Sequence, residues 1–238
     1  MLSILFMYNY NGILFLIRYS LCILFLYPLL HLFFSFNEKY VSHTYNKKCY
    51  ILKNLIKSFV LCIISVTSIY DIFIPMYYDI WDNNVINKYG SMYVANDFLS
   101  LLIIPKLPKT TKFHHITTTI LLFFSFSIDF KEDNVGRWIF VYCCLSSYSF
   151  LVNTYLGIRH LLDKNEVFIR FVDDLRIVAY YLYLVCCAIN WSLHLYLFIS
   201  RAYNFNLDYT HFIYMALLYP IINDDLILLS WLKKNDKY

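Results

Sequence analysis

A bundle of about seven membrane-spanning helices is the all-α fold this sequence predicts, and three observations predict it. Of its 238 residues 60% are apolar and only 15% charged, with a mean hydropathy of +0.54, whereas a soluble domain is about half apolar and about a quarter charged. The apolar residues gather in long runs rather than alternating at a period of two, which excludes barrel strands and leaves helices as the structure that satisfies its own backbone in lipid. Basic residues crowd into alternate connectors, as the positive-inside rule requires of a polytopic chain.

Crossing the hydrocarbon takes about 20 mostly apolar residues. The qualifying runs are Ile13–Phe36, Leu55–Tyr78, Tyr89–Pro105, Phe113–Ile128, Gly136–Leu161, Leu175–Ile199 and Tyr209–Leu232. The third and fourth are the shortest and most polar. The first has no basic leader and no small-residue cleavage site, so it reads as a retained helix rather than a signal peptide. Its Arg18 is accommodated either by snorkelling outward or by a span that begins just after it. With the N-terminus outside, the inner segments hold Lys39, Lys47, Lys48, Lys53, Lys57, Lys106, Lys109, Lys112, Arg159, Lys164, Arg170, Arg176, Lys233, Lys234 and Lys237. The outer side has only Arg18, Lys88, Lys131, Arg137 and Arg201. The expected topology is therefore N-terminus luminal and C-terminus cytosolic.

Other classes fall away quickly. So apolar a chain cannot stay hydrated as a disordered one. The net charge of +4 is scattered rather than gathered on a basic face, so no nucleic acid is expected as partner. The seven Cys include the adjacent pairs Cys143-Cys144 and Cys186-Cys187 but no CxxC or Cys/His spacing. They read as polarizable packing residues, and neither a metal nor a cofactor is expected. The sequon Asn190-Trp191-Ser192 lies inside the sixth run, out of reach of glycosylation.

Ionisable groups within a span cost a few kcal/mol each and face the bundle interior, which makes them the first candidates for function. They are Asp71, Asp97, His114, His115, His194, Asp224 and Asp225. By topology Asp97 lies near mid-membrane. His114 and His115 lie at the inner end of the fourth span, and Asp224 and Asp225 in the inner half of the seventh, past a break expected at Pro220. With Asn153 and Arg159 of the fifth span they form an inner polar layer. Asp71, Asn190 and His194 form a thinner outer set suited to packing. A histidine beside a carboxylate suits proton transfer or head-group binding, and equally holds helices together.

These residues carry a family resemblance. Tyr93-Val94-Ala95-Asn96-Asp97, a short basic connector, then His114-His115 opening a helix resembles the TLC domain, shared by ceramide synthases, translocating-chain-associating membrane proteins and small lipid-related proteins of the endoplasmic reticulum. The resemblance runs from about Leu55 to Leu232. It implies a six-helix membrane domain over residues 55–232, an added helix and basic loop over 1–54, and a short basic cytosolic tail over 233–238. Ceramide synthases carry HHxxTxxLxxxS, which His114, His115, Thr118, Leu121 and Ser125 match; His114, Thr118, Leu121 and Ser125 share a helical face. Beyond that point Asp129, Glu132 and Asn134 stand where the synthase motif has Asn, Arg and Gly. Val141-Tyr142-Cys143-Cys144-Leu145 replaces its later acidic pairs. The Ser146–Asn153 run and Phe171…Arg176 look more like the non-synthase members.

The resemblance implies a protein that binds, senses or distributes membrane lipids in the endoplasmic reticulum, with Asp97, His114, His115, Thr118, Asn153 and Asp224 lining the lipid site. It leaves homo-oligomerisation open. The alternative it implies is a sphingoid-base N-acyltransferase using acyl-CoA, with His114 or His115 as general base and Asp97 as partner. A seven-helix receptor shares the topology but would need a DRY-like triplet or NPxxY, and neither is present.

Overall fold

The computed structural model describes residues 2–162 and 165–234, with side chains from Tyr10 onward. Lys164, Lys237 and the rest of the tail beyond Lys234 lie outside the described residues. Every regular element among them is helical: α1 (Leu2–Phe34), α2 (Glu38–Ser42), α3 (Tyr45–Ser68), a π-helical turn (Ile69–Phe73), α4 (Ile74–Tyr77), α5 (Asn83–Ile103), α6 (Lys109–Ser125), α7 (Val135–Ser147), α8 (Phe150–Ile158), α9 (Glu166–Tyr203) and α10 (Tyr209–Lys233).

Helix starts follow short polar side chains. Asn37, Asp82, Asn134, Asn165 and Asp208 each accept a hydrogen bond from a backbone N–H of the first turn, which satisfies donors that the helix itself leaves unpaired. At α10 the arrangement is reciprocal, because His211 also reaches back to the Asp208 backbone. Donation from the Thr210 hydroxyl, and from the backbone N–H groups of Thr210 and His211, holds the Asp208 carboxyl down at about 2.

Each of the seven predicted runs contains helix, but not every helix is a candidate span. Four are long and apolar enough to cross a bilayer: Tyr10–Phe34, Tyr45–Tyr77, Glu166–Tyr203 and Tyr209–Lys233. Val135–Ser147 and Phe150–Ile158 make a fifth if the pair, bent by 45°, counts as one. The bend has a local cause: Ser147 and Ser149 hydroxyls donate to the carbonyls of Cys144 and Ser146, three residues back, and compete with the helical ladder. The remaining two runs fall short: polar residues interrupt α5, and α6 is both polar and only 17 residues long.

Other boundaries shift as well. α3 starts at Tyr45, so the expected domain boundary at 54/55 falls inside a helix. The break expected at Pro220 does not occur: α10 runs through it as one helix, since neighbouring groups can take up the backbone a proline frees.

The bundle is a closed ring. α3 touches α5, α5 touches α6, α6 touches α10, α10 touches α9, α9 touches α8, and α8 returns to α3, with α7 braced against α3, α5, α9 and α10. α1 stands outside the ring against α5 and α3. Its Gly12 lets the backbone approach closely: a Cβ there would lie 2.3 Å from the Phe126 ring. The Gly12 carbonyl accepts from the Ser91 hydroxyl. Polarity is inverted relative to a soluble domain. Phe25, Leu32 and Phe33 of α1 and Val178, Val185 and Tyr196 of α9 face outward, while Ser91, Asn96, Asp97 and Ser100 of α5 are fully buried. Apolar flesh outside and polar groups inside is the arrangement lipid selects, and with the long apolar helices it marks an integral membrane protein.

Candidate functional site

The ring encloses a cavity of about 450 Å³, walled by residues of α3 and α5 to α10 and by none of α1. Its most polar wall is where α3, α5, α6 and α10 meet. Asp97 lies fully buried behind that wall. The Lys57 ammonium donates to Asp97 Oδ1 at 2.6 Å. On the other side of the carboxylate, His115 Nδ1 lies 3.4 Å from the same oxygen. The far nitrogen of that ring, Nε2, faces Lys53 Nζ at 2.8 Å, and the lysine is only 5% exposed. His114 meets His115 edge-on, with ring centroids 5.7 Å apart, and its Nδ1 lies 3.6 Å from Asp224 Oδ2 on α10.

The sequence-predicted residues mostly come together here. Asp97, His114 and His115 offer ligand atoms within 4.8 Å of one another. Asp224, Thr118 and Asn153 share the cavity wall with the two histidines. The Thr118 hydroxyl is spent on its own helix, donating to the His115 carbonyl at 3.1 Å. Arg159 also lines the cavity; its guanidinium stacks 4.3 Å from the Trp231 ring and donates to the Tyr50 hydroxyl.

The remaining ionisable residues stand apart. Asp71 is exposed at the π-helical turn and accepts from the Tyr89 hydroxyl at 2.7 Å. Asp225, next to Asp224 in sequence, points to a different wall, where its two oxygens accept from the Tyr142 and Tyr183 hydroxyls at 2.7 and 2.6 Å. His194 sits between two carbonyls, with Nδ1 2.7 Å from Asn190 O and Nε2 3.0 Å from Trp138 O.

By sequence Lys53 belongs to a basic connector and Lys57 to the start of the second run, and neither is a site candidate. The signal that places them inside is spacing: Tyr50, Lys53, Asn54, Lys57 and Leu61 recur at three- and four-residue intervals and all line the cavity. Tyr142 and Tyr183 gave no such signal, because 24 tyrosines make any one of them uninformative.

Chemically the wall combines two cationic side chains, two imidazoles and two carboxylates in an apolar surround. It can hold an anionic or hydroxylated head group, and it can orient an imidazole for proton transfer, since a carboxylate beside Nδ1 fixes the tautomer. Asp97 Oδ2, His114 Nδ1 and His115 Nδ1 are buried without a hydrogen-bond partner, so the wall has capacity unused within the protein itself. No family model, curated protein or solved structure matches the chain.

Proposed function

We propose that the chain is a seven-span membrane protein of the TLC type that binds lipids in the cavity inside its helical ring. On this reading α5 and α6 cross the bilayer because they are sheltered within the ring, although neither would cross alone. The N-terminus is luminal, the membrane is that of the endoplasmic reticulum, and the polar wall opens toward the cytosol. The observation that carries the proposal is the cavity of about 450 Å³ with Lys53, Lys57, His114, His115 and Asp224 on one wall. That volume lies within the roughly 300–1,000 Å³ of small-molecule sites. Lys53, Lys57, His114, His115 and Asp224 supply charged and imidazole groups while Leu61, Leu121, Leu218 and Ile221 supply apolar lining; that mixture suits a head group and an acyl chain.

The test is lipid retention. Wild-type protein and a His114→Ala/His115→Ala variant are purified in mild detergent and their bound lipids compared by mass spectrometry. The variant is expected to insert and to keep its helical circular dichroism, while retaining at least about tenfold less lipid. Equal retention would leave the histidines a structural role alone and sink the proposal.

A second reading is favoured by one specific observation. The synthase-type carboxylates absent from the sequence motif have stand-ins, Asp97 beside His115 and Asp224 beside His114. In this reading a histidine removes the proton from a sphingoid-base amine as nitrogen attacks an acyl-CoA thioester, giving the amide and the free thiol. His114 is the better placed, because His115 Nε2 already faces Lys53. Dihydrosphingosine and acyl-CoA supplied to the purified protein distinguish the two readings: ceramide-type product that disappears in the double variant favours the enzyme, and its absence from wild type removes it.

A further inference from the structure

We propose that Asp97, His114 and His115, completed by Asp224, form a binding site for a divalent transition-metal ion. Three kinds of observation converge on it. The first is proximity: one ligand atom from each of Asp97, His114 and His115 lies within 4.8 Å of the others. The second is vacancy of hydrogen bonding. Asp97 Oδ2, His114 Nδ1 and His115 Nδ1 are buried and lack hydrogen-bond partners, and buried polar atoms in that condition call for an ion or a water.

The third is metric. Ligands about 2.1 Å from a tetrahedral ion stand about 3.4 Å apart. The Asp97 Oδ1–His115 Nδ1 and His114 Nδ1–Asp224 Oδ2 separations are 3.4 and 3.6 Å; Oδ1 is the oxygen that Lys57 also holds, and Oδ2 is the free one. The wider separations among Asp97, His114 and His115 reach up to 4.8 Å, so an ion must draw these side chains inward, with Asp224 joining through His114.

Two lysines beside a cation site look like an objection, but both lie outside the proposed coordination sphere. Lys57 donates to Asp97 Oδ1, as outer groups do for ligating carboxylates. Lys53 faces His115 Nε2; a metal on Nδ1 puts the ring proton on Nε2, so the ammonium must turn away from it or give up a proton as the ion binds. A set of two imidazoles and two carboxylates suits Zn2+, Fe2+ or Mn2+ better than Mg2+, which prefers oxygen ligands and bound waters. Asp224, its side chain 20% exposed, gives the ion a route in from the cavity. The proposal does not depend on the lipid reading, because its measurement contains no lipid.

The test uses the full chain, purified without a polyhistidine tag, stripped with chelator, then titrated with Zn2+ and separately with Co2+. The expected result is about one equivalent bound, with the visible absorption of four-coordinate Co2+. Asp97→Asn and His115→Gln, which keep size and polarity, should each weaken binding by at least about 100-fold, and Asp224→Asn by about tenfold. Where a variant does not fold, the wild-type stoichiometry and Co2+ spectrum decide alone. Binding below one ion per chain, a six-coordinate Co2+ spectrum, or undiminished binding in correctly folded variants would overturn the site.

Discussion

Asp224 and Asp225 are adjacent on α10 and lead into two polar clusters of opposite character. Around Asp225 the charged and titratable groups are closed off. Its carboxylate takes two phenolic hydroxyls, and both ring nitrogens of nearby His194 lie against backbone carbonyls. What is left over there, Asn190 Oδ1, Trp191 Nε1 and the Tyr214 hydroxyl, belongs to neutral groups. Around Asp224 the leftover atoms are a carboxylate oxygen and two imidazole nitrogens, the atoms best suited to hold a head group, a proton or an ion. Both clusters are buried and both would be flagged by an intramembrane ionisable residue. Burial therefore does not separate a strut from a site. The separation comes from whether the protein itself satisfies the group.

The sharpest way to break this contrast is to open the ion pair that anchors the unsatisfied cluster. Lys57→Met strands the Asp97 carboxylate in a fully buried position, and losing one partner of a buried pair costs about 3–5 kcal/mol. The expected outcome is the largest loss of thermal stability of any single change considered. Removing both charges with Lys57→Met/Asp97→Asn should return most of it. If the double variant were no more stable than the single one, the pair would not be the anchor. On the satisfied side, His194→Ala removes a ring packed against Tyr142 and Tyr214, at 5.2 and 5.9 Å between centroids. It should cost about 2–3 kcal/mol in thermal unfolding with bound lipid unchanged. A His194 variant that lost lipid as completely as the His114/His115 variant would erase the distinction between the clusters.

How much of this was legible beforehand differs between fold and site. The helical character of each apolar run was legible, whereas the Asn and Asp side chains that cap α5, α7, α9 and α10 show only in the structure. Span topology puts Asp97, His114 and His115 in one inner polar layer, and the distances place them together. What could not be read was which helices meet. The spacing of Lys53 and Lys57 puts them on one face of α3, but that this face meets Asp97 of α5 and His115 of α6 shows only in the packing. Asp225 looked like a twin of Asp224 because sequence adjacency hides the roughly 100° that one residue turns on a helix. That rotation carries Asp225 to the phenols of α7 and α9.

The smallest expected effect lies at the entrance to the helix that carries both aspartates. Asp208 caps α10 by accepting from the backbone of Thr210 and His211, and Asp208→Ala should cost about 1 kcal/mol of stability. Its pH dependence has a definite sign. The folded carboxyl sits at about 2, below its unfolded value near 3.9, so the unfolded chain binds the proton more readily. The contribution is fully present above about pH 4 and fades as the pH falls through about 2. It is also small, because the Asp208 side chain is 58% exposed and water screens it. Unfolding followed between pH 5 and 2 should therefore show wild type and Asp208→Ala converging toward the acid end. Because α10 delivers Asp224 to one cluster and Asp225 to the other, fraying its first turn should lower stability without favouring either: bound lipid and the environment of Tyr142 and Tyr183 should both stay as in wild type. A change confined to one cluster would mean that α10 does not move as the single rod on which the contrast between its two aspartates rests.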